Sequence, residues 1–325
     1  MTPRHVPEEL RDAILVGDSL DLAKGLPSGL VRAIVTSPPY FGHRDYAGDG
    51  PLARRELGRE SDHKEYVHRL VTLFDELKRV LAGDGTLWLN LGDTYRDGQL
   101  LGMPWRVALA LQEAGWILRS EIIWEKPNAM PSSIKTRPTV SHEHVFLLSK
   151  DSSYFYNTDA IREPHVTFSA QSKMKGGRNH FGKRNGTPEK GKNRGSHNLH
   201  DARWDQYFHP LGRNRRTVWS IPLGKFRDAH FAVFPEKLVE ICVTAGTERG
   251  DLVLDPFMGA GTTAVVAQAM GRHFLGLELI RGYAEMARRR IARSVGTASL
   301  FEDAFDSANK DRQGETTGSA PRLLF

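Results

Sequence analysis

Along most of this chain, short β-branched or aliphatic runs alternate with stretches whose apolar residues recur every three or four positions. DAILVGD (12–18), VRAIVT (31–36), TLWLNL (86–91), WILRSEIIWEK (116–126), HEHVFLLSK (142–150), DLVLDP (251–256) and HFLGLEL (273–279) read as strands. Tyr66, Leu70, Leu73, Leu77, Val80 and Leu81 predict a long amphipathic helix from Ser61 to Leu81, N-capped by Ser61 or Asp62 and stopped by Gly83-Asp84-Gly85. Shorter helices are expected at 104–114, 235–245, 262–270 and 283–291. Such alternation folds as one open, doubly wound, mostly parallel α/β sheet. Residues 42–63, charged and rich in glycine, read as a mobile loop, and 298–325 as a loose tail.

The pattern lapses between residues 165 and 216. That segment holds twelve Lys and Arg against three Asp and Glu in a chain of net charge +6, so it carries all of the basic excess. A concentrated basic patch suits a polyanion, because each neutralised phosphate releases condensed counterions. Phe168, Phe181, Trp204, Tyr207 and Phe208 lie within it, and a pure linker rarely needs them. The expected organisation is therefore two halves of one domain, 1–164 and 217–297, a small inserted lobe at 165–216, and the tail.

Other classes drop out. No run of about 18 apolar residues occurs, so no membrane span is expected. The first apolar run, Ala13 to Val16, is too short for a signal peptide, and the single cysteine, Cys242, allows no internal disulfide. These features point to the cytoplasm. His142 and His144 share one face of a strand and read as structural, so no metal is expected.

Residues 255–263 read Asp-Pro-Phe-Met-Gly-Ala-Gly-Thr-Thr, a glycine turn between a strand and a helix. Gly259 and Gly261 permit a sharp bend and close approach to a ligand at the carboxyl end of a strand. Glu278 ends the next strand, where an acid can accept from ribose hydroxyls. A dinucleotide turn, an S-adenosylmethionine turn and a purely structural turn all fit. A phosphate loop does not, because no Gly-Lys-Ser/Thr follows.

Residues 36–40 read Thr-Ser-Pro-Pro-Tyr directly after a strand. Two prolines fix two φ angles and remove two N–H donors, which lets the carbonyl of Ser37 or Pro38 point outward. The Ser37 hydroxyl adds an acceptor and Tyr40 a flat face. Two acceptors and a ring suit a planar group bearing an amine, such as the exocyclic amine of a base. Accepting both N–H bonds would draw that nitrogen towards sp³ and free its lone pair. A rigid strand-ending turn is the competing reading.

TSPPY followed much later by DPFMGAGTT resembles the amino-methyltransferases of DNA in their β-group order, with the catalytic motif before the cofactor motif. The resemblance covers most of the chain outside the insert. It implies a Rossmann-like methyltransferase sheet and S-adenosylmethionine as cofactor. GDSLDLAKGLPSGLVRAIV resembles the family's opening stretch, which puts Asp18 near the cofactor's adenine. VWSIP (218–222) and HFAVFPEKL (230–238) resemble the stretch before the cofactor motif, with Phe231 packing on the cofactor. Asp255, Phe257, Gly259, Gly261, Thr262 and Thr263 match the cofactor motif, and Glu278 the ribose acid.

Members with Ser-Pro-Pro-Tyr mostly methylate cytosine N4, and members with Asp-Pro-Pro-Tyr adenine N6, so Ser37 favours cytosine. The resemblance assigns catalysis to Ser37, Pro38, Pro39 and Tyr40 on a base flipped out of the duplex. Transfer is expected to be direct, with orientation the main source of acceleration. The insert falls where the family's target-recognition region lies, making Lys173, Lys183, Arg184, Arg213, Arg215 and Arg216 candidate DNA contacts. Double-stranded DNA is the implied partner. A separate cognate restriction endonuclease, and a monomeric or homodimeric state, stay open. Cys242, inside an apolar helical pattern, reads as core. Asn90 and Asp93 could line the cleft or merely end a strand, and Lys126-Pro127-Asn128 precedes a Ser/Pro-rich loop beside it.

Overall fold

The computed structural model describes residues 6–42, 46, 50, 52–165, 210–224 and 234–294. They belong to two compact units: one is built from the chain up to Tyr156 and from Thr217 onward, the other lies within Asn157–Arg216.

The first unit is an eight-stranded sheet. Its strands are β1 (Ala13–Val16), β2 (Val31–Thr36), β3 (Leu81–Leu91), β6 (Ile117–Glu125), β7 (His142–Ser149), β8 (Val218–Ser220), β9 (Leu252–Asp255) and β10 (His273–Glu278). A separate two-stranded ribbon pairs β4 (Tyr95–Arg96) with β5 (Gln99–Leu100). The large sheet runs β1-β10-β9-β2-β3-β7-β6-β8, with β7 antiparallel to both its neighbours and every other pairing parallel.

Helices cover the sheet in two layers. On one side lie α1 (Ser19–Lys24), α2 (His63–Val80) and α3 (Met103–Glu113). On the other lie α4 (Glu236–Gly246) and α5 (Thr262–Ala269), and residues 281–294 are also helical. The side-chain period of two along β3 shows both faces at work. Leu87 and Leu89 join the core cluster with α2 and α3, while Trp88 lies under Gly246 of α4, where a Cβ would come within 3.0 Å of its indole nitrogen. Helix α2 buries Tyr66, Leu70, Leu73, Phe74, Leu77 and Val80 on one stripe. Each such side chain is worth about 2 kcal/mol of transfer from water.

The helix over 61–81 forms as its spacing predicts, with Asp62 as N-cap accepting from the Lys64 amide. It ends at Val80, ahead of the glycines. Gly83-Asp84-Gly85 instead lies inside β3, where the register with β2 shifts between Val31 and Ala33. Of the stretch read as a mobile loop, Glu56 and Leu57 are buried, and Glu56 accepts from the Tyr46 amide. The expected loose tail lies outside the described residues.

The topology places the site. β2 opens the run through β3 towards β8, and β9 opens the run through β10 towards β1. The two runs meet where β2 pairs β9, with Ala33 opposite Val253 and Ile34 opposite Leu254. Chain connections diverge there, so the carboxyl ends of β2 and β9 border the crevice where such sheets bind ligands.

In the second unit, Glu163 and Arg213 form an antiparallel bridge reinforced by an ion pair at 3.0 Å. Arg162 donates to the Gly212 carbonyl and Arg215 to that of Ile161. Among the described residues no helix is long and apolar enough to cross a membrane, and no cluster could hold a metal.

Candidate active site

A cleft of about 520 Å³ opens at that crevice, a size ordinary for a cofactor or substrate site. Both sequence motifs line it: Ser37, Pro38, Pro39 and Tyr40 from the turn after β2, and Phe257, Gly259 and Thr262 from the turn after β9. Asp18 and Glu278 line the same end of the cleft as the glycine turn.

The glycine turn has a defined job for each polar group. Gly259 and Gly261 adopt the left-handed conformation, at φ +49° and +79°. A Cβ on Gly261 would also stand 2.9 Å from that of Ala287. Glu278 accepts from the Gly259 amide through Oε2 and from the Ile280 amide through Oε1, each at 2.8 Å. Burial raises its carboxyl above the usual range, and those two amides oppose the shift. Asp18 caps α1, accepting from the amides of Leu20 and Asp21.

Asp255 does something different. It is 1% exposed and does not line the cleft. Its Oδ1 accepts from Thr36 Oγ1 at 2.7 Å and from the Phe257 amide at 3.0 Å; its Oδ2 accepts from Thr263 Oγ1 at 2.7 Å. Burial raises this carboxyl to about 6, against the pull of the Thr36, Thr263 and Phe257 donors. Asp255, Thr263 and Gly261 thus form the wall behind the glycine turn. Phe231, Lys173, Lys183 and Arg184 lie outside the described residues. Arg213 and Arg215 hold their own unit together, and Arg216 is exposed.

At the other end the Ser-Pro-Pro-Tyr turn is pinned from beneath. Tyr66 Oη donates to the Pro39 carbonyl at 2.8 Å, and among the described residues no donor reaches the carbonyls of Ser37 or Pro38. The Tyr40 ring lies against Gly92, where a Cβ would sit 2.5 Å from a ring carbon. Tyr40 Oη stands 3.1 Å from Ser37 Oγ and donates to Glu143 Oε2 at 2.6 Å. Asn90 Nδ2 reaches all three oxygens, at 3.2 Å from Ser37, 2.8 Å from Tyr40 and 2.7 Å from Glu143. Lys126 pairs with the other Glu143 oxygen. Burial, then the Glu143 charge, pushes the Tyr40 phenol well up.

Glu143, Asn90 and Lys126 all line the cleft, and the sequence reading assigned none of them a role. Asp93 turns elsewhere, accepting from the amides of Thr94 and Met103. Of the two histidines read as structural, His144 contacts Glu121 at 2.7 Å and its ring stacks on Phe146, while His142 is exposed. Cys242 is buried, which pushes its thiol up.

Solved structures similar in fold include DNA methyltransferases. The PvuII DNA methyltransferase (cytosine-N4-specific) superposes with a TM-score of 0.61 at 20% identity, covering 85% of this chain and 84% of that one. A putative DNA modification methylase from Thermus thermophilus, complexed with S-adenosyl-L-methionine, gives 0.55 at 24% identity, covering 87% and 95%. By fold this is the Rossmann-like α/β sheet of those methyltransferases.

Residues 31–289 match the N6_N4_Mtase model, described as DNA methylase, and the chain belongs to that family of N6/N4 DNA methyltransferases. Among its relatives, the type II methyltransferase M.Cfr9I of Citrobacter freundii is 41% identical over 318 residues, 89% of this chain and 90% of that one. M.SmaI of Serratia marcescens, also a type II methyltransferase, is 38% identical over 86% and 90%.

Proposed function

We propose that this enzyme transfers the methyl group of S-adenosylmethionine to the N4 amine of a cytosine flipped out of duplex DNA. The observation that carries this reading is the Ser-Pro-Pro-Tyr turn in the same cleft as the glycine turn. Its two acceptors, Ser37 Oγ and the Pro38 carbonyl, are uncharged and have room for the two N–H bonds of an amine. Serine at this position supports cytosine over adenine, as does the cytosine-N4 specificity in the name of the PvuII neighbour.

The cleft fits the cofactor. Asp18 and Glu278 offer carboxylate oxygens beside the apolar Phe257 and the open backbone of Gly259. Bound there, S-adenosylmethionine supplies an electrophilic methyl group. Thr262 borders the same end, while Asp255, Gly261 and Thr263 hold the turn that shapes it; Phe231 is assigned to the cofactor as well. Ser37 and Pro38 orient the amine, Pro39 is anchored by Tyr66, and Tyr40 stacks on the flipped ring. Orientation of this kind is worth several orders of magnitude in rate.

The basic stretch 165–216 serves target recognition, with Lys173, Lys183, Arg184, Arg213, Arg215 and Arg216 on the phosphates. It divides the catalytic half, 1–164, from the cofactor half, 217–297. The type II relatives suggest a cognate endonuclease as a separate protein, with the methyltransferase acting as monomer or homodimer.

The test incubates the protein with tritiated-methyl S-adenosylmethionine and unmethylated genomic DNA, then identifies the labelled nucleoside after digestion. Label in N4-methylcytosine supports the reading. Label in N6-methyladenine keeps the fold and the transfer but discards the inference from Ser37.

A further inference from the structure

We propose that Glu143 is the final proton acceptor of the reaction, reached from the substrate amine through Ser37 and Tyr40. The inference rests on the amine-methylating reading above. When the amine takes the methyl group, an N–C bond forms and the donor's S–C bond breaks, its electron pair going to sulfur. Positive charge and a surplus proton develop on the nitrogen as the N–C bond forms, and the proton leaves in the same step. Ser37 Oγ, its hydrogen-bond partner, is a poor base by itself, so the proton needs somewhere further to go.

A continuous path leads away from Ser37. Its Oγ is 3.1 Å from Tyr40 Oη, and Tyr40 already donates to Glu143 Oε2 at 2.6 Å. The Ser37 hydroxyl therefore donates to Tyr40 and keeps lone pairs for Asn90 and for the amine. In the step, the amine proton passes to Ser37 Oγ, the Ser37 proton to Tyr40 Oη, and the Tyr40 proton to Glu143. Nitrogen and both hydroxyls end neutral, the carboxylate ends protonated, and nothing is oxidised or reduced. The raised Tyr40 phenol does not rest as phenolate, so its two transfers move together.

Asn90 makes the path rigid. Its Nδ2 contacts all three oxygens at 2.7–3.2 Å, and the residue is 2% exposed. Asparagine can hold the path but cannot take the proton. Lys126 sits on the far oxygen of Glu143, and the two side chains keep 17% and 14% of their surface exposed, so the end of the path is only partly buried. The remaining carboxylates of the cleft are committed elsewhere. Asp18 and Glu278 hold backbone amides at the cofactor end, and Glu56 holds the Tyr46 amide.

The test is single-turnover methyl transfer by rapid quench, with labelled S-adenosylmethionine and a duplex that the wild type modifies. Glu143→Gln keeps an oxygen to accept from Tyr40 but takes no proton; Tyr40→Phe keeps the ring and removes the relay hydroxyl. Each is expected to slow transfer about 100-fold, with S-adenosylmethionine and DNA dissociation constants within about threefold. The double variant is expected to be no slower than the slower single variant, and Glu143→Asp to recover part of the rate. The wild type is expected to slow about twofold in D₂O, and Tyr40→Phe to lose that sensitivity. Glu143→Gln within about threefold of the wild type, or equal wild-type rates in H₂O and D₂O, would overturn the relay while leaving the methyl transfer standing. If Glu143→Gln does not fold, as read by circular dichroism, Tyr40→Phe and the solvent effect decide. A wild type that methylates no DNA removes the reaction, and the relay with it.

Discussion

Thr36 Oγ1 donates to Asp255 Oδ1 at 2.7 Å across the join of β2 and β9. The two residues are 219 positions apart, and each stands at the head of one motif. Through this bond, and through Thr263 on the other oxygen, the Ser-Pro-Pro-Tyr turn and the glycine turn are tied to each other. Transfer between two bound groups depends on their relative placement, and misplacement by about 1 Å can cost 100-fold.

Asp255 gives that join a pH signature. Its folded carboxyl lies near 6 because it is buried, so the folded state binds this proton more tightly than the unfolded chain. The stability it contributes is fully present below about pH 4 and is lost as pH rises to about 6, in the amount of roughly 3 kcal/mol. Urea unfolding of the wild type between pH 4 and 7 should show that decline. Asp255→Asn should flatten it, and an unchanged slope in the variant would refute the assignment.

Ser37→Ala removes one of two acceptors for the amine and leaves the cofactor end untouched. Turnover should fall about 100-fold, while S-adenosylmethionine binding by calorimetry stays within about twofold. A near-normal rate would end the role given to Ser37.

Glu278 receives two amides on two oxygens. In Glu278→Gln the side-chain NH₂ must face one of those N–H groups. S-adenosylmethionine affinity should weaken by about 10-fold or more, since an unmade buried hydrogen bond costs roughly 1–3 kcal/mol. DNA affinity should be unchanged. Equal loss for both ligands would point to a collapsed turn instead.

Gly92 leaves no room for a methyl group beside Tyr40. Gly92→Ala should displace the ring, lower the turnover number about 10-fold or more, and leave S-adenosylmethionine affinity near that of the wild type. Full activity would mean that Tyr40 does not need its present place.

The two turns were legible because each packs its chemistry into a few consecutive residues. Proline pairs and glycine pairs restrict the backbone locally, so their meaning survives without knowledge of the fold. Glu143 was not legible for the opposite reason. His142 and His144 drew the reading to one face of β7, whereas Glu143 lies on the other. Its partners Asn90, Tyr40 and Lys126 come from β3, the turn after β2 and the end of β6, and only the sheet order brings them together. Asp255 was seen as a site acid, but its inward direction depends on Thr36, which no local pattern links to it. Helix α1, at six residues, is too short to show periodicity.

The central claim is that one cleft brings the methyl donor to the amine held by Ser37 and Pro38. A crystal structure with a non-reactive S-adenosylmethionine analogue tests it most directly. The expected result has the ribose hydroxyls on Glu278 and the end that replaces the sulfonium methyl facing Ser37 and the Pro38 carbonyl. An analogue bound away from the glycine turn, or with that end facing away from Ser37, would contradict it.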